Sequence, residues 1–194
     1  DKKILLVGAV QSLFEGAMYI FVLQWPPALQ LVFGDDAVPF GTVFSCLLTS
    51  CMLGSSLFAL LLKNAVTVEN GVSGMLGLAA GALAVASYIV QTPSLPHRAH
   101  LLSLAFFLFE GCVGLYFPAV GTLRSKYVPD SHKGAIINLF RIPLNMIVIS
   151  TNLSIARLGI AGALRLSAAI LAVACAAQLL LRQAAEEEAA GDKE

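Results

Sequence analysis

Three ionisable residues lie deep inside long apolar stretches of this sequence, and they are the residues best placed to carry chemistry. Glu15, Glu110 and Arg141 are each surrounded by mostly apolar neighbours. Because a charged group in hydrocarbon is costly, such residues usually face a water-filled cavity or pair with one another. At about 1.5 Å per residue along a helix, both glutamates fall near the middle of a bilayer, and Arg141 lies nearer to one face.

Polar companions accompany Glu15 at helical spacing. Gln11 lies four residues before Glu15 and Tyr19 lies four residues after it. Residues four apart are neighbours on a helix surface, so the three side chains share one face. This face is the first candidate for the lining of a solute pathway.

A polar row marks the stretch around Arg141. Asn138 precedes Arg141 by three residues and Asn145 follows it by four, which puts all three on one face of an apolar helix. Pro143 interrupts that helix and frees a backbone carbonyl group beside the row. A guanidinium group offers two parallel N–H donors, which suit a tetrahedral oxyanion. The predicted substrate-binding residues are Gln11, Glu15, Tyr19, Glu110, Asn138, Arg141 and Asn145.

A structural interpretation of the same charges competes with the functional one. Arg141 pairs with Glu15 or Glu110 in this alternative, and the pair locks helices together. The two interpretations are compatible if the pair opens when substrate binds. A further hypothesis is that Glu15 or Glu110 carries a coupling proton, and uptake that does not depend on pH would count against it.

The composition places these residues in a membrane protein. Hydrophobic residues make up 58% of the 194 residues and charged residues only 12%, with a mean hydropathy of +0.82. A soluble domain has about 25% charged residues, so lipid must solvate much of this surface. The net charge is zero, which gives no reason to expect a nucleic-acid partner.

Six apolar segments have the roughly 20 residues that cross a 30 Å hydrocarbon core. The predicted class is therefore an all-α integral membrane protein with a six-helix bundle. Basic residues follow a positive-inside bias when both termini are cytoplasmic: eight then lie on the cytoplasmic side, Arg124 and Lys193 among them, against three on the other. The predicted spans are Ile4–Phe33, Phe40–Leu62, Gly71–Val90, Ala99–Lys126, Gly134–Arg157 and Ile160–Leu181.

An internal repeat relates the two halves of the chain. Phe14-Glu15-Gly16 in the first span recurs as Phe109-Glu110-Gly111 in the fourth, and each is followed by aromatic residues and then by proline. Three spans are an odd number, so the second copy runs through the membrane in the opposite sense. The chain is predicted to be a 3+3 inverted repeat, half of a major facilitator transporter. The units are 1–96 and 97–182, with a polar cytoplasmic tail at 183–194.

Small residues within the spans are interpreted as packing residues. Glycines recur at about one-turn spacing in the third span, which predicts a close approach to another helix. The cysteines have no metal-ligand spacing and are expected to be small buried residues. The glycines are Gly71, Gly74, Gly77 and Gly81, and the cysteines are Cys46, Cys51, Cys112 and Cys175.

Two blocks of sequence resemble the eukaryotic molybdate-anion transporter family of the major facilitator superfamily. The first is SLFEGAMYIFV at 12–22, and the second comprises GLYFPA at 114–119, RSKYVPD at 124–130 and NLFRIPLN at 138–145. The resemblance implies that the chain is the C-terminal half, helices seven to twelve, of a twelve-span protein. Gln24-Trp25-Pro26-Pro27 departs from the family's usual Leu-Trp-Thr-Pro, so details of gating at that helix end transfer poorly.

The leading prediction is a secondary transporter that imports molybdate or a similar oxyanion by alternating access, with no cofactor. The implied partners are the lipid bilayer, the oxyanion and the N-terminal six-helix half. The plasma membrane is the predicted location. The alternatives are a non-transporting scaffold or sensor of the same fold and a transporter for another small solute. An intramembrane enzyme is disfavoured because His97, His100 and His132 lie in loops or at span edges.

Overall fold

The computed structural model describes residues 2–34, 36–64, 66–130 and 133–191. Most residues in these ranges are helical and none lies in a strand, and every described helix is long and apolar enough to cross a membrane. The predicted all-helical membrane class is thereby confirmed for the described part of the chain. His132, Lys193 and the last residues of the predicted tail lie outside the described residues. The helices are α1 (Lys2–Phe33), α2 (Phe40–Lys63), α3 (Val68–Gln91), α4 (Arg98–Tyr127) and α5 (Lys133–Gly191).

Contacts between helix ends show how α1, α3 and α4 run. The guanidinium of Arg98, at the start of α4, donates to the carbonyl oxygen of Leu31 near the end of α1 (3.0 Å). Lys126, near the end of α4, pairs with Glu69 at the start of α3 (2.7 Å). α4 is therefore antiparallel to both α1 and α3. We call the end of the bundle where α1 begins the Lys3 end and the opposite one the Arg98 end.

α5 changes course at Gly159, whose backbone is non-helical (φ 65°, ψ 175°). Before this residue α5 runs parallel to α1, because the ring of Phe140 packs over Gly8 and Ile147 packs against Gly16 further along. Glycine adopts this left-handed φ without a Cβ penalty. The position matches the predicted boundary between the fifth and sixth spans.

Beyond Gly159 the second part of α5 runs antiparallel to α3. The hydroxyl of Ser87 donates to the carbonyl oxygen of Ala161 near the Arg98 end (2.8 Å). The amide of Gln178 donates to the carbonyl oxygen of Glu69 at the Lys3 end (3.3 Å). The chain therefore travels from the Lys3 end to the Arg98 end and back within α5. The described helices nevertheless number five, and the predicted six spans and inverted repeat are taken up below as proposals.

Aromatic side chains form the core between α1 and α4. Phe14 stacks on Tyr116 with 3.9 Å between ring centroids, and Phe21 lies 4.6 Å from Phe109 and 5.1 Å from Phe106. All five side chains are almost completely buried. Rings at such distances contribute about 0.5–1.5 kcal/mol per pair beyond their buried area. The core thus holds α1 and α4 in a fixed register.

Close helix approach occurs between α2 and α4, and not along the predicted glycine series. A Cβ atom at Gly54 would overlap the carbonyl oxygen of Gly111, and one at Gly114 would overlap that of Cys51. At Gly74, Gly77 and Gly81 it would meet no atom of the described residues within 4 Å. The prediction that the α3 glycines mediate packing was wrong, because these residues face open grooves between α3 and its neighbours.

The cysteine prediction holds only in part. Cys112 is buried, Cys51 and Cys175 are half-buried, and Cys46 is exposed. The exposure of Cys46 follows from its helix, since α2 buries only Val43, Leu47 and Gly54. An apolar helix in lipid has no need to bury its small residues.

Candidate functional site

A polar cluster lies between α1 and α4, inside the helix bundle. The Nε atom of Arg124 donates to Oε1 of Gln11 (2.9 Å), and its Nη2 atom lies 3.4 Å from Oε1 of Glu15. The hydroxyl of Tyr116 donates to the same Oε1 atom of Glu15 (3.0 Å). Two of the predicted residues are therefore brought together by two residues of α4 that were not predicted.

Burial differs among the four members of this cluster. Gln11 and Tyr116 are almost completely buried, whereas the side chains of Glu15 and Arg124 retain 18% and 22% of their exposure. Both charged groups are thus reachable from outside the bundle. Glu15 lies 13 residues from the start of α1, which corresponds to about 20 Å along the helix. The ion pair is therefore well inside the span and not at its end.

The predicted polar row on α5 stands on the surface of the bundle. Asn138, Arg141 and Asn145 are all exposed. Arg141 forms no hydrogen bond or ion pair with any side chain in the described ranges, so the predicted pairing of Arg141 with Glu15 or Glu110 is not formed there. The ion-pair partner of Glu15 is Arg124, which is better placed because α4 faces that side of α1.

The neighbours of Arg141 fix its depth in the bundle. The preceding residue, Phe140, accepts a hydrogen bond from the hydroxyl of Ser12 at its carbonyl oxygen (2.6 Å), and its ring packs over Gly8. Arg141 therefore lies level with the stretch of α1 between Gly8 and Ser12. The level of Arg141 along the bundle is therefore within about one helical turn, roughly 5 Å, of the levels of Gln11 and Glu15.

Tyr19 and Glu110 lie outside the cluster. Tyr19 is 47% exposed, so its ring lies on the surface of the helix bundle. Glu110 is half-buried, and no side chain in the described residues donates a hydrogen bond to it. Because Glu110 is six residues before Tyr116 on α4, its backbone lies about 9 Å closer to the Arg98 end than the backbone of Tyr116, the hydrogen-bond donor to Glu15. The two glutamates thus have different surroundings and different depths.

A second ionic cluster closes the Lys3 end of the bundle. Glu69, which is 6% exposed, accepts hydrogen bonds from Nζ of Lys126 (2.7 Å) and from the hydroxyl of Tyr127 (2.7 Å). The ammonium group of Lys3 lies over the ring of Tyr127 and pairs with Glu188. These contacts join the ends of α1, α3, α4 and α5. Among the described residues no group of three or more His, Cys, Asp or Glu side chains could hold a metal ion.

Sequence reasoning missed Arg124, which was counted with the cytoplasmic charges because α4 ends only three residues later. Its side chain turns back into the bundle instead. A usable signal was present: the predicted repeat would place the first and fourth spans in equivalent positions, and a cation near the end of one span could reach the glutamate of the other. The long arginine side chain makes such reach possible.

Comparison with known proteins adds independent findings. Residues 1–114 match the family described as sugar transporters with twelve transmembrane segments. The chain is similar to molybdate-anion transporters: it is 34% identical over 151 residues to that of Takifugu rubripes and 38% identical over 151 residues to that of Danio rerio. The matched segment covers 76% of this chain and 30% of each of those two relatives. The chain therefore spans less than a third of their length. No solved structure is a significant match.

Proposed function

We propose a transport function for this chain, which belongs to the family of twelve-span transporters that its sequence matches and has molybdate-anion transporters among its relatives. The proposed activity is secondary active import of molybdate or a similar oxyanion by alternating access. This chain would supply half of the central cavity. It would correspond to the C-terminal six helices, seven to twelve, of a longer protein.

The proposed architecture is six membrane crossings arranged as a 3+3 inverted repeat. The reversal of direction at Gly159 supports a sixth crossing within α5. Glu15 and Glu110 occupy equivalent positions in α1 and α4, which are antiparallel and share the aromatic core. Units 1–96 and 97–182 would then be the two copies, with both termini and the polar tail at 183–194 in the cytoplasm.

The exposure of Arg141 is the observation that carries the proposal. A guanidinium group on the lipid-facing surface of a span is costly, yet Arg141 is exposed on a helix apolar enough to cross the membrane. Asn138 and Asn145 accompany it on the same exposed face. Such a face is stable only if water or another polar surface covers it. The N-terminal six-helix half is the proposed cover, and the space between the halves is the proposed pathway.

The hydrogen-bond donors along the exposed row of α5 favour an anion. Arg141 and the amides of Asn138 and Asn145 offer hydrogen-bond donors that match a tetrahedral oxyanion. Tyr19 and the Gln11–Glu15 face of α1 would line the same pathway, with Glu110 deeper towards the Arg98 end. A different small solute is the second candidate, because the matched family is described as sugar transporters.

A competition experiment separates these candidates. The full-length protein that carries this chain is reconstituted in proteoliposomes loaded with molybdate, and counterflow of labelled molybdate is measured with excess sulfate, tungstate or glucose outside. We expect oxyanions to compete and glucose to have no effect. Labelled glucose exchange with no molybdate exchange would assign the sugar function. If the protein exchanged none of these solutes but still bound a partner molecule, the result would favour a non-transporting scaffold or sensor.

A further inference from the structure

We propose that Arg124 is a second anion-binding arginine of the transport site and that Glu15 is its counter-ion until the oxyanion arrives. The inference rests on the proposed oxyanion transport and extends it to a residue pair in the interior of the bundle. The oxyanion would replace Glu15 as the partner of the Arg124 guanidinium group. Gln11 would hold Arg124 in place and Tyr116 would hold Glu15 in place.

The guanidinium of Arg124 has donors to spare. Arginine carries five N–H groups, and the two hydrogen bonds to Gln11 and Glu15 occupy two of them. The side chain is also 22% exposed, so part of it is accessible to a ligand from outside the bundle. Three N–H groups are therefore left to engage an oxyanion at first, before the contact with Glu15 is given up.

The two contacts of Arg124 differ in length, and the difference indicates which one yields. The bond to Gln11 is 2.9 Å long, whereas the contact with Glu15 is 3.4 Å, at the long end of hydrogen-bond distances. Charge-assisted N–H···O bonds are typically 2.7–2.9 Å, so the Glu15 contact is a loose one. The buried amide of Gln11 would hold the guanidinium while Glu15 is displaced.

Glu15 keeps a second donor when Arg124 leaves it. The hydroxyl of Tyr116 donates to the same carboxylate oxygen (3.0 Å), and Tyr116 is fixed by its stack on Phe14 (3.9 Å). A buried charge that loses its partner is strongly destabilising unless other hydrogen bonds remain. Tyr116 provides that remaining bond, so Glu15 keeps one hydrogen-bond donor when Arg124 turns to the oxyanion.

The depth of Arg124 agrees with that of Arg141. Arg141 lies level with Gly8 to Ser12 on α1, and the guanidinium of Arg124 lies level with Gln11 and Glu15. α4 and α5 both pack against α1. Two arginines at similar levels, on two helices that contact α1, suit a doubly charged anion because each offers paired N–H donors.

The test measures molybdate uptake kinetics of the full-length protein in proteoliposomes. Arg124→Gln, Glu15→Gln, the double variant and Arg157→Gln are compared with the unaltered protein; Arg157 is an exposed arginine of α5 near Gly159. We expect Arg124→Gln to raise KM at least about 10-fold, since hydrogen bonds to charged groups are among the stronger ones. Glu15→Gln should lower KM, because it removes the competing carboxylate. Arg157→Gln should leave KM unchanged.

The double variant keeps the test decisive if Arg124→Gln alone fails to fold, because it leaves no unpaired charge in the cluster. Its KM should be as high as that expected for Arg124→Gln. An unchanged KM in a folded Arg124→Gln or double variant would overturn the inference and leave the proposed transport intact. A rise in KM for Glu15→Gln as large as that for Arg124→Gln would also overturn it, since Glu15 would then assist binding. Absence of uptake by the unaltered protein would overturn the proposed function itself.

Discussion

The phenol of Tyr116 on α4 donates a hydrogen bond to the carboxylate of Glu15 on α1, with 3.0 Å between the two oxygen atoms. The donor is stacked on Phe14, the residue directly before Glu15, so one aromatic contact and one hydrogen bond act at the same height. Helices α1 and α4 each carry one copy of the Phe-Glu-Gly motif. The first motif is thus joined to α4 by both an apolar and a polar contact.

Two substitutions at Tyr116 separate these contacts. Tyr116→Phe keeps the stack and removes a hydrogen bond to a carboxylate, and we expect a loss of about 1.5–3 kcal/mol in stability. Tyr116→Ala removes the ring and leaves a cavity, which costs about 3–5 kcal/mol for large aromatic residues. Thermal unfolding of the purified protein in detergent measures both. Equal losses for the two variants would mean that the stack contributes nothing beyond the hydroxyl.

The glycine at the α2–α4 crossing is predicted to be essential for packing. Gly114→Ala would force its Cβ into the carbonyl oxygen of Cys51, so we expect a clear fall in unfolding temperature and yield. Gly77→Ala is the matched control, because a Cβ there meets nothing within 4 Å. Alanine favours a helix over glycine by about 1 kcal/mol, so the control should be neutral or stabilising. The opposite order of stability would contradict the described crossing.

Six crossings with cytoplasmic termini make a topology prediction. Single cysteines are placed at Lys63, Thr92 and Leu158 in a full-length protein whose native cysteines are replaced, and intact cells are treated with a membrane-impermeant maleimide. We expect labelling at Thr92 and Leu158 from outside, and at Lys63 only after permeabilisation. Leu158 adjoins the reversal at Gly159. If Leu158, like Lys63, were labelled only after permeabilisation, α5 would not cross and return through the membrane as proposed. Labelling at no site before permeabilisation would argue against the plasma membrane.

Glu110 is the better placed of the two glutamates to carry a coupling proton. Glu15 is held by Arg124 and Tyr116, whereas Glu110 accepts no hydrogen bond from a described side chain. A carboxylate without a hydrogen-bond donor inside a span is a candidate proton carrier, because such groups form the proton relays of pumps and transporters. Cys51 is its titratable neighbour on α2, and α3 carries no ionisable side chain between Glu69 and Tyr88.

The coupling prediction is measured in proteoliposomes with an imposed pH gradient. Glu110→Gln cannot release a proton, so we expect it to keep molybdate counterflow and to lose accumulation driven by the gradient. The same variant should show uptake that no longer varies with pH. Accumulation at the unaltered level in Glu110→Gln would exclude Glu110 as the proton carrier.

The helix boundaries were largely predictable, because they depend on local signals. Predicted Phe40–Leu62 and Ala99–Lys126 became α2 (Phe40–Lys63) and α4 (Arg98–Tyr127). Each of these apolar runs ends at a charged, proline or glycine-rich stretch that cannot remain in lipid. The boundary at Gly159 was predictable for the same reason.

The faces of the helices were much less predictable. In a soluble protein the apolar stripe shows which side of a helix is buried, but a helix in lipid is apolar all round. The sequence therefore could not reveal that Gly114 faces a neighbour while Gly77 faces a groove. The partner of Glu15 was missed for a related reason, since the long side chain of Arg124 places its charge far from its backbone position.

The most direct test of the central claim is molybdate uptake by the full-length protein in proteoliposomes, beside Arg141→Ala and the matched control Arg157→Ala. We predict that uptake collapses in Arg141→Ala while folding and yield persist, and that Arg157→Ala transports at the unaltered rate. That result would support an oxyanion pathway along the exposed row of α5. Unchanged uptake in Arg141→Ala would contradict it and make Arg141 a structural residue.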